Sequence, residues 1–269
     1  MDSLKEISIA QFDAPLERIG IVSESELLTG FQFYFPRHIQ FLQPGTPSWN
    51  DILPRLPPES VVCQALISER ILPLPRDIRR VMVDNFWNGR DDLRDSIIND
   101  KRNEHCLIRP YLGRRRVHVG TGAGERRSMF KSISLRNYPL HIDQMEALGL
   151  PTHEYASAMA DALAFLLWVA KIDACDVEFV LARPRAVVCA EPSRLGRGAS
   201  PRACSALMPC GFSILTAAGS FPCLVNGIRL AAERFWRNDP FYPNPDAKCE
   251  EDKALWEDLK TGFSPRVER

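Results

Sequence analysis

Pro151-Thr-His-Glu-Tyr-Ala-Ser-Ala-Met-Ala-Asp-Ala-Leu-Ala-Phe-Leu-Leu-Trp-Val-Ala170, followed at once by Lys171-Ile-Asp-Ala-Cys-Asp-Val-Glu-Phe-Val-Leu-Ala182, contains a change of period that decides the fold class. Tyr155, Met159, Leu163, Leu166 and Val169 or Ala170 recur at helical spacing, and Ala fills much of the remainder. With Thr152 available as a cap, the spacing predicts a central helix over about 152–171, with Met159, Leu163 and Leu166 buried and Trp168 at least partly so. The apolar, β-branched run 177–182, stopped by Pro184, predicts a short strand. A helix feeding a short strand without a repeating βαβ unit gives an α+β class, and the chain carries no internal repeat.

On the N-terminal side, apolar residues from Ile78 to Phe86 and again from Leu93 to Ile98 predict an amphipathic helix interrupted near Asn88-Gly89. Val61-Val-Cys-Gln-Ala-Leu-Ile67 has the length and composition of a buried strand. Residues 1–60, broken by Pro36, Pro44, Pro47, Pro54, Pro57 and Pro58, are expected to form a Pro-rich leader. Strands at 104–116 and 129–135, separated by Gly120, Gly122 and Gly124, are expected to make a hairpin with a long tip. Toward the C-terminus, helices at 228–238 and 251–259 flank Asp239-Pro-Phe-Tyr-Pro-Asn-Pro245, a stiff connector. The resulting division is a core over 61–185 and 228–260, an insert at 186–227 and a tail at 261–269.

The insert differs from its surroundings. Residues 186–227 hold only four charged groups, Glu191, Arg194, Arg197 and Arg202, together with half of the eight Cys. From Ala203 to Ile228 there is no charge, but Pro209, Pro222 and several Gly and Ser argue against a membrane span. Such a segment is expected to be irregular, a stretch near 195–226 translated out of frame relative to its ancestral gene, and not a strand beside 177–182.

With 269 residues at 30.4 kDa, 45% hydrophobic and 25% charged, the chain can bury a sizeable core, which excludes general disorder. Lys plus Arg and Asp plus Glu both number 34, so no global charge draws it to nucleic acid or to a membrane. Eight scattered Cys favour free thiols, and the first residues lack a basic region followed by an apolar run. A cytoplasmic or nuclear location is therefore expected.

Chemistry is concentrated after the long helix. An Asp, four residues, a carboxylate or amide and then an apolar strand form the skeleton of the protein-kinase catalytic loop, in which the Asp accepts a hydroxyl proton and the second residue binds metal. Asp173 and Glu178 occupy those positions, while Lys171 and Ile172 replace the usual His and Arg. A solvated turn between helix and strand is the plainer reading. The phosphate-binding parts are missing: no Lys lies between Lys5 and Lys101, and no Asp between Asp176 and Asp239. Gly120-Thr-Gly-Ala-Gly124 sits in a hairpin tip and reads as a flexible loop.

Between Arg109 and Arg136 there are seven Arg and one Lys against a single Glu125. Arg114, Arg115, Arg116, Arg126 and Arg127 are the anion-binding candidates, opposed by the reading that the acidic segment 239–258 neutralises a solvated face. No zinc is expected, because Cys204, Cys210 and Cys223 are too widely spaced for a finger and no His lies among them.

Several segments together carry a family resemblance: Ala65-Leu-Ile-Ser-Glu-Arg-Ile71, Cys106-Leu-Ile-Arg-Pro-Tyr-Leu-Gly-Arg-Arg-Arg116, Ser134-Leu-Arg-Asn-Tyr-Pro-Leu-His-Ile-Asp-Gln-Met-Glu-Ala-Leu-Gly-Leu150, Ala158-Met-Ala-Asp-Ala-Leu-Ala164, Asp173 to Ala182, and Phe235-Trp-Arg-Asn-Asp-Pro-Phe-Tyr-Pro-Asn-Pro245. In this order, over about 60–185 and 228–260, they resemble the fungal family called domain of unknown function 3669, whose members are often labelled zinc finger proteins. The resemblance implies a kinase-like core with a mainly helical C-terminal lobe, because members follow the 173–182 motif with an aromatic strand and an Asp-Phe-Asp or Asp-Phe-Asn turn. That turn is absent from this chain. The expected function is accordingly a non-catalytic, kinase-like remnant without cofactor, Asp173 being a vestigial base and Glu178 a vestigial metal ligand. Two further readings stand beside it: a binding or regulatory module that presents the Arg-rich hairpin to an acidic partner, and a weak phosphotransferase using ATP and Mg²⁺ on a small hydroxyl substrate.

Overall fold

The computed structural model describes residues 33–36, 38–116, 133–170, 172–174, 177–182, 211–216, 219–220, 229, 232–233, 235–237 and 240–263. In chain order the elements are β1 (Phe33–Tyr34), β2 (His38–Leu42), α1 (Pro47–Ile52), β3 (Ala65–Ser68), α2 (Arg76–Phe86), α3 (Arg94–Asn99), β4 (Ile108–Tyr111), β5 (Tyr138–His141), α4 (Ile142–Ala147), α5 (Thr152–Ala164), β6 (Ile172–Asp173), β7 (Val177–Ala182), β8 (Gly211–Thr216), β9 (Gly219–Ser220) and α6 (Glu250–Phe263). Helices and small sheets share one core, so the class is α+β.

The main sheet has the order β1-β8-β7-β4-β5. Central β7 runs antiparallel to both neighbours, with Val177 opposite Thr216, Ala182 opposite Gly211, and Ile108 opposite Leu181. Parallel pairs close both edges, β1 on β8 and β5 on β4. Over this sheet pack Ile78, Met82, Ile98, Leu140, Met159, Leu166, Phe179 and Phe241, all fully or almost fully buried.

The expected hairpin does not form. β4 and β5 run parallel, and the second strand begins at Tyr138, not within 129–135. Three hydrogen bonds of backbone N–H groups explain this. Leu135 N–H is taken by the buried Asn103 side chain at 2.9 Å, while Leu112 and Gly113 donate to the carbonyls of Phe241 and Pro240, so the end of β4 turns to the C-terminal connector. The interior of the supposed tip, 117–132, lies outside the described residues.

The insert is also corrected. Gly211–Thr216, expected to be irregular, forms a six-residue ladder with β7, and Gly219–Ser220 pairs antiparallel with β6. The same lack of charge that set the segment apart suits a strand placed between two others, and Phe212-Ser-Ile-Leu-Thr216 has the β-branched and aromatic content that a pleated surface accepts. Residues 183–210 and 221–228 lie outside the described residues.

The third correction concerns 61–67. The strand is Ala65–Ser68, paired only with β2. Val61 and Val62 precede the strand, pair with nothing in a ladder and stay 74% and 45% exposed.

The central helix is close to its expected place. Pro151 is the N-cap and Thr152 the first helical residue, so Thr152 is buried and not capping. From Phe165 to Val169 the helix widens into a π turn, closed by Ala170 N–H on the Phe165 carbonyl at 2.9 Å. Met159, Leu163 and Leu166 are buried, and Trp168, displaced by that widening, is half-exposed against Phe263. Small Ala residues on α5 admit α6 closely: a Cβ added at Gly262 would stand 2.9 Å from the Ala160 Cβ. The helix interrupted near Asn88-Gly89 appears as α2 and α3; of 228–238, residues 229, 232, 233 and 235 are helical.

Candidate functional site

The π turn delivers the chain into β6, which carries Asp173. β6 pairs with β9, and β7 with β8, so two antiparallel ladders bracket the Asp173 to Glu178 loop on one side and the β8–β9 junction on the other. The junction residues are Ala217 and Ala218. Both are Ala and carry no side-chain oxygen.

Glu178, on central β7, is half-buried. Val177, Phe179 and Leu181 point into the core, and Glu178 projects from the opposite face. Counting from the Ile108–Leu181 pair puts Arg109 on that face at the diagonal position, and its guanidinium pairs with the Glu178 carboxylate at 2.5 Å. Burial opposes the Arg109 charge, but the Tyr111 hydroxyl and Glu178 outweigh it and hold the guanidinium pKa above its ordinary value. The Glu178 carboxylate is thus engaged by a cation of the neighbouring strand.

The Arg triplet follows β4 directly. Arg115 is clasped by Glu146 of α4, through two bonds of 2.6 and 2.8 Å, and by Asp252 of α6. Arg116 donates both its backbone N–H and its Nε to Asp143, at 2.9 and 2.8 Å, with its guanidinium over the Phe86 ring. Burial pushes the Asp143 carboxyl up, yet the Arg116 bonds outweigh it and leave that pKa below the usual range. The acidic C-terminal segment thus neutralises part of the basic run, through Asp252. Arg114 has no acidic partner among the described residues, while Arg126 and Arg127 lie outside them.

Beside Arg114 is a half-open pocket of about 430 Å³, walled by Gly113, Arg114, Trp236, Tyr242, Asn244 and Asp246, with Phe235 behind. Its floor is fixed by Gly113, whose N–H bonds to the Pro240 carbonyl and where an added Cβ would collide with the Tyr242 carbonyl. Phe241 anchors the connector by edge contacts to Tyr111 and Phe179. Phe235 stacks on Tyr242 at 4.4 Å, and Trp236 remains 57% exposed. Sequence reasoning missed this pocket: the aromatic content of 235–242 was the available signal, but it read as a stiff connector. Burial alone pushes the Tyr242 hydroxyl pKa well up.

Residues 219–268 match the DUF3669 family model, described as a zinc finger protein. The match takes in the Phe235 to Pro245 motif and α6, and leaves out the earlier segments of the resemblance. No curated protein and no solved structure matches the chain. Nothing in the described residues explains the zinc label: no three His, Cys, Asp or Glu side chains gather there as metal ligands, and Cys63, Cys106 and Cys249 are free. Among the described residues no helix is long and apolar enough to cross a membrane.

Proposed function

We propose that this is a fungal, cytoplasmic or nuclear protein built on the remnant of a kinase-like fold, without phosphotransfer activity and without a bound cofactor. The observation that carries the reading is the strand pairing around Asp173. A short strand before the loop pairs with a short strand that follows β8, as a catalytic loop would need, while the sequence between Asp176 and Asp239 holds no Asp for a metal-binding turn. The absence of Lys between Lys5 and Lys101 and the capture of Glu178 by Arg109 point the same way. Without a cationic clamp on the phosphates, positioning by Asp173 supplies little of the stabilisation that phosphoryl transfer requires. Asp173 is then a vestigial base and Glu178 a vestigial metal ligand.

The test is turnover of ATP with Mg²⁺ by the full chain and by Asp173→Asn. The expected result is no turnover above buffer in either protein. Mg²⁺-dependent turnover that disappears in Asp173→Asn overturns the reading and promotes the weak phosphotransferase. A binding module for an acidic partner is the second reading, favoured by one observation: Arg114 keeps its charge uncompensated among the described residues while Arg115 and Arg116 are neutralised.

A further inference from the structure

We propose that the pocket beside Arg114 binds a nucleoside monophosphate, a planar heterocycle bearing a phosphate, either free or as the terminus of a nucleic-acid strand. Three features of the pocket select that chemistry. Arg114 offers a guanidinium fork without an acidic partner among the described residues, and such a fork suits a phosphate's paired oxygens. Trp236 is 57% exposed, although Phe235 meets it at a right angle at 4.9 Å and Trp256 lies 6.0 Å away. The other rings of the pocket are less open, since Phe235 stacks on Tyr242 and Tyr242 is buried. One exposed indole stacks one ring, whereas a polyproline peptide needs a row of exposed aromatic ridges. In the same lining, Asp246 supplies a carboxylate whose turn is fixed by its own N–H on Asn244 Oδ1 at 2.9 Å. A carboxylate accepts from an exocyclic amine, so adenine and cytosine are favoured over uracil, which has none. The volume, about 430 Å³, lies within the range that holds small-molecule ligands.

Within the basic run 109–136 the sequence places two aromatic residues, Tyr111 and Phe130. The fold brings further rings to Arg114 from a segment more than a hundred residues later, because Gly113 docks the connector beside it.

The proposal is independent of the kinase-like reading and is tested so that the two fail separately. AMP, UMP, adenosine, ribose 5-phosphate and a 5′-phosphorylated DNA oligonucleotide are titrated into the full chain in EDTA, followed by calorimetry and Trp fluorescence. Saturable AMP binding is expected, with UMP, adenosine and ribose 5-phosphate each weaker by about tenfold or more. Arg114→Ala is expected to lower AMP affinity by about tenfold or more and leave adenosine unchanged, and Asp246→Asn to narrow the AMP–UMP difference. Asp173→Asn changes nothing. Equal affinity for the oligonucleotide assigns the site to strand ends, and preference for AMP assigns it to free nucleotide. No saturable binding of either up to about 10 mM, a proline-rich peptide binding in their place, or binding unaffected by Arg114→Ala overturns the proposal.

Discussion

Val61-Val-Cys-Gln-Ala-Leu-Ile67 and Val177-Glu-Phe-Val-Leu-Ala182 are alike in length, hydropathy and β-branching, and they end in opposite environments. β7 has a strand on each edge, and Val177, Phe179, Val180 and Leu181 are almost wholly removed from water. β3, only Ala65–Ser68, has one partner and leaves Leu66 in solvent, while Val61 and Val62 precede it in no ladder and are exposed as well. Burial in this molecule therefore depends on how many neighbours a strand finds, and only secondarily on how apolar it is. Phe179 shows what a covered position gains: its ring meets Phe241 at 5.5 Å and Tyr242 at 5.6 Å, so the strand and the C-terminal connector stabilise each other.

The largest expected effect follows from that contrast. Phe179→Ala should destabilise the chain by about 3–5 kcal/mol, and Leu163→Ala by about 2–5, read as a fall in the denaturant midpoint. A loss under about 1 kcal/mol at either position would mean that the sheet and central helix do not share one core.

The Arg triplet gives a second contrast of the same kind, between a residue met from two sides and its unmet neighbour. Arg115→Ala should cost about 1 kcal/mol, a figure kept low because the clasp is a third exposed and screened by solvent. The loss should shrink in high salt. Arg114→Ala should leave the midpoint unchanged, and an equal loss at both positions would erase the distinction.

The sequence made these environments only partly legible. The period of Tyr155, Met159, Leu163 and Leu166 is local and strong, so it fixes the start of the helix at Thr152, while α5 proper ends at Ala164, short of the expected 171. Its π widening at Phe165–Val169 has no counterpart in the pattern. β4 was found, but its partner was not, because the choice between β5 and a nearer hairpin strand rests on Asn103 and Pro240, bonds formed across long stretches of chain. Likewise Glu178 was singled out by spacing to Asp173, whereas its partner Arg109 lies 69 residues away and is reached only through the β4–β7 register. Local period is written in the chain; the identity of a neighbour is not.

Acid should sharpen the difference between compensated and uncompensated groups by a smaller amount. Burial pushes the His141 pKa down, with Asp143 opposing, so the folded protein binds fewer protons at this ring than the unfolded chain. Stability from this source is complete above the unfolded value, about 6.5, and falls as pH drops through the lower folded one. Asp143, held below its ordinary value, adds a second loss only at lower pH, beneath about 3.9. His141→Gln should flatten the upper step and leave the lower one, as followed by Tm between pH 7 and pH 3. A Tm that rises on acidification through the upper step would contradict the burial of the ring.

The smallest expected effect lies at the other end of the opening comparison. Val61→Thr should change stability by no more than about 0.5 kcal/mol, since the side chain is 74% exposed and little apolar area leaves water when the chain folds. Leu66→Thr, on the β2-paired strand and opposite Phe41, should cost somewhat more, about 0.5–1 kcal/mol. The two measurements turn the contrast between β3 and β7 into a number, because Phe179→Ala is expected to exceed Val61→Thr several-fold. If Val61→Thr instead costs more than about 2 kcal/mol, Val61 is covered in solution, and the apolar run 61–67 would then be buried as β7 is.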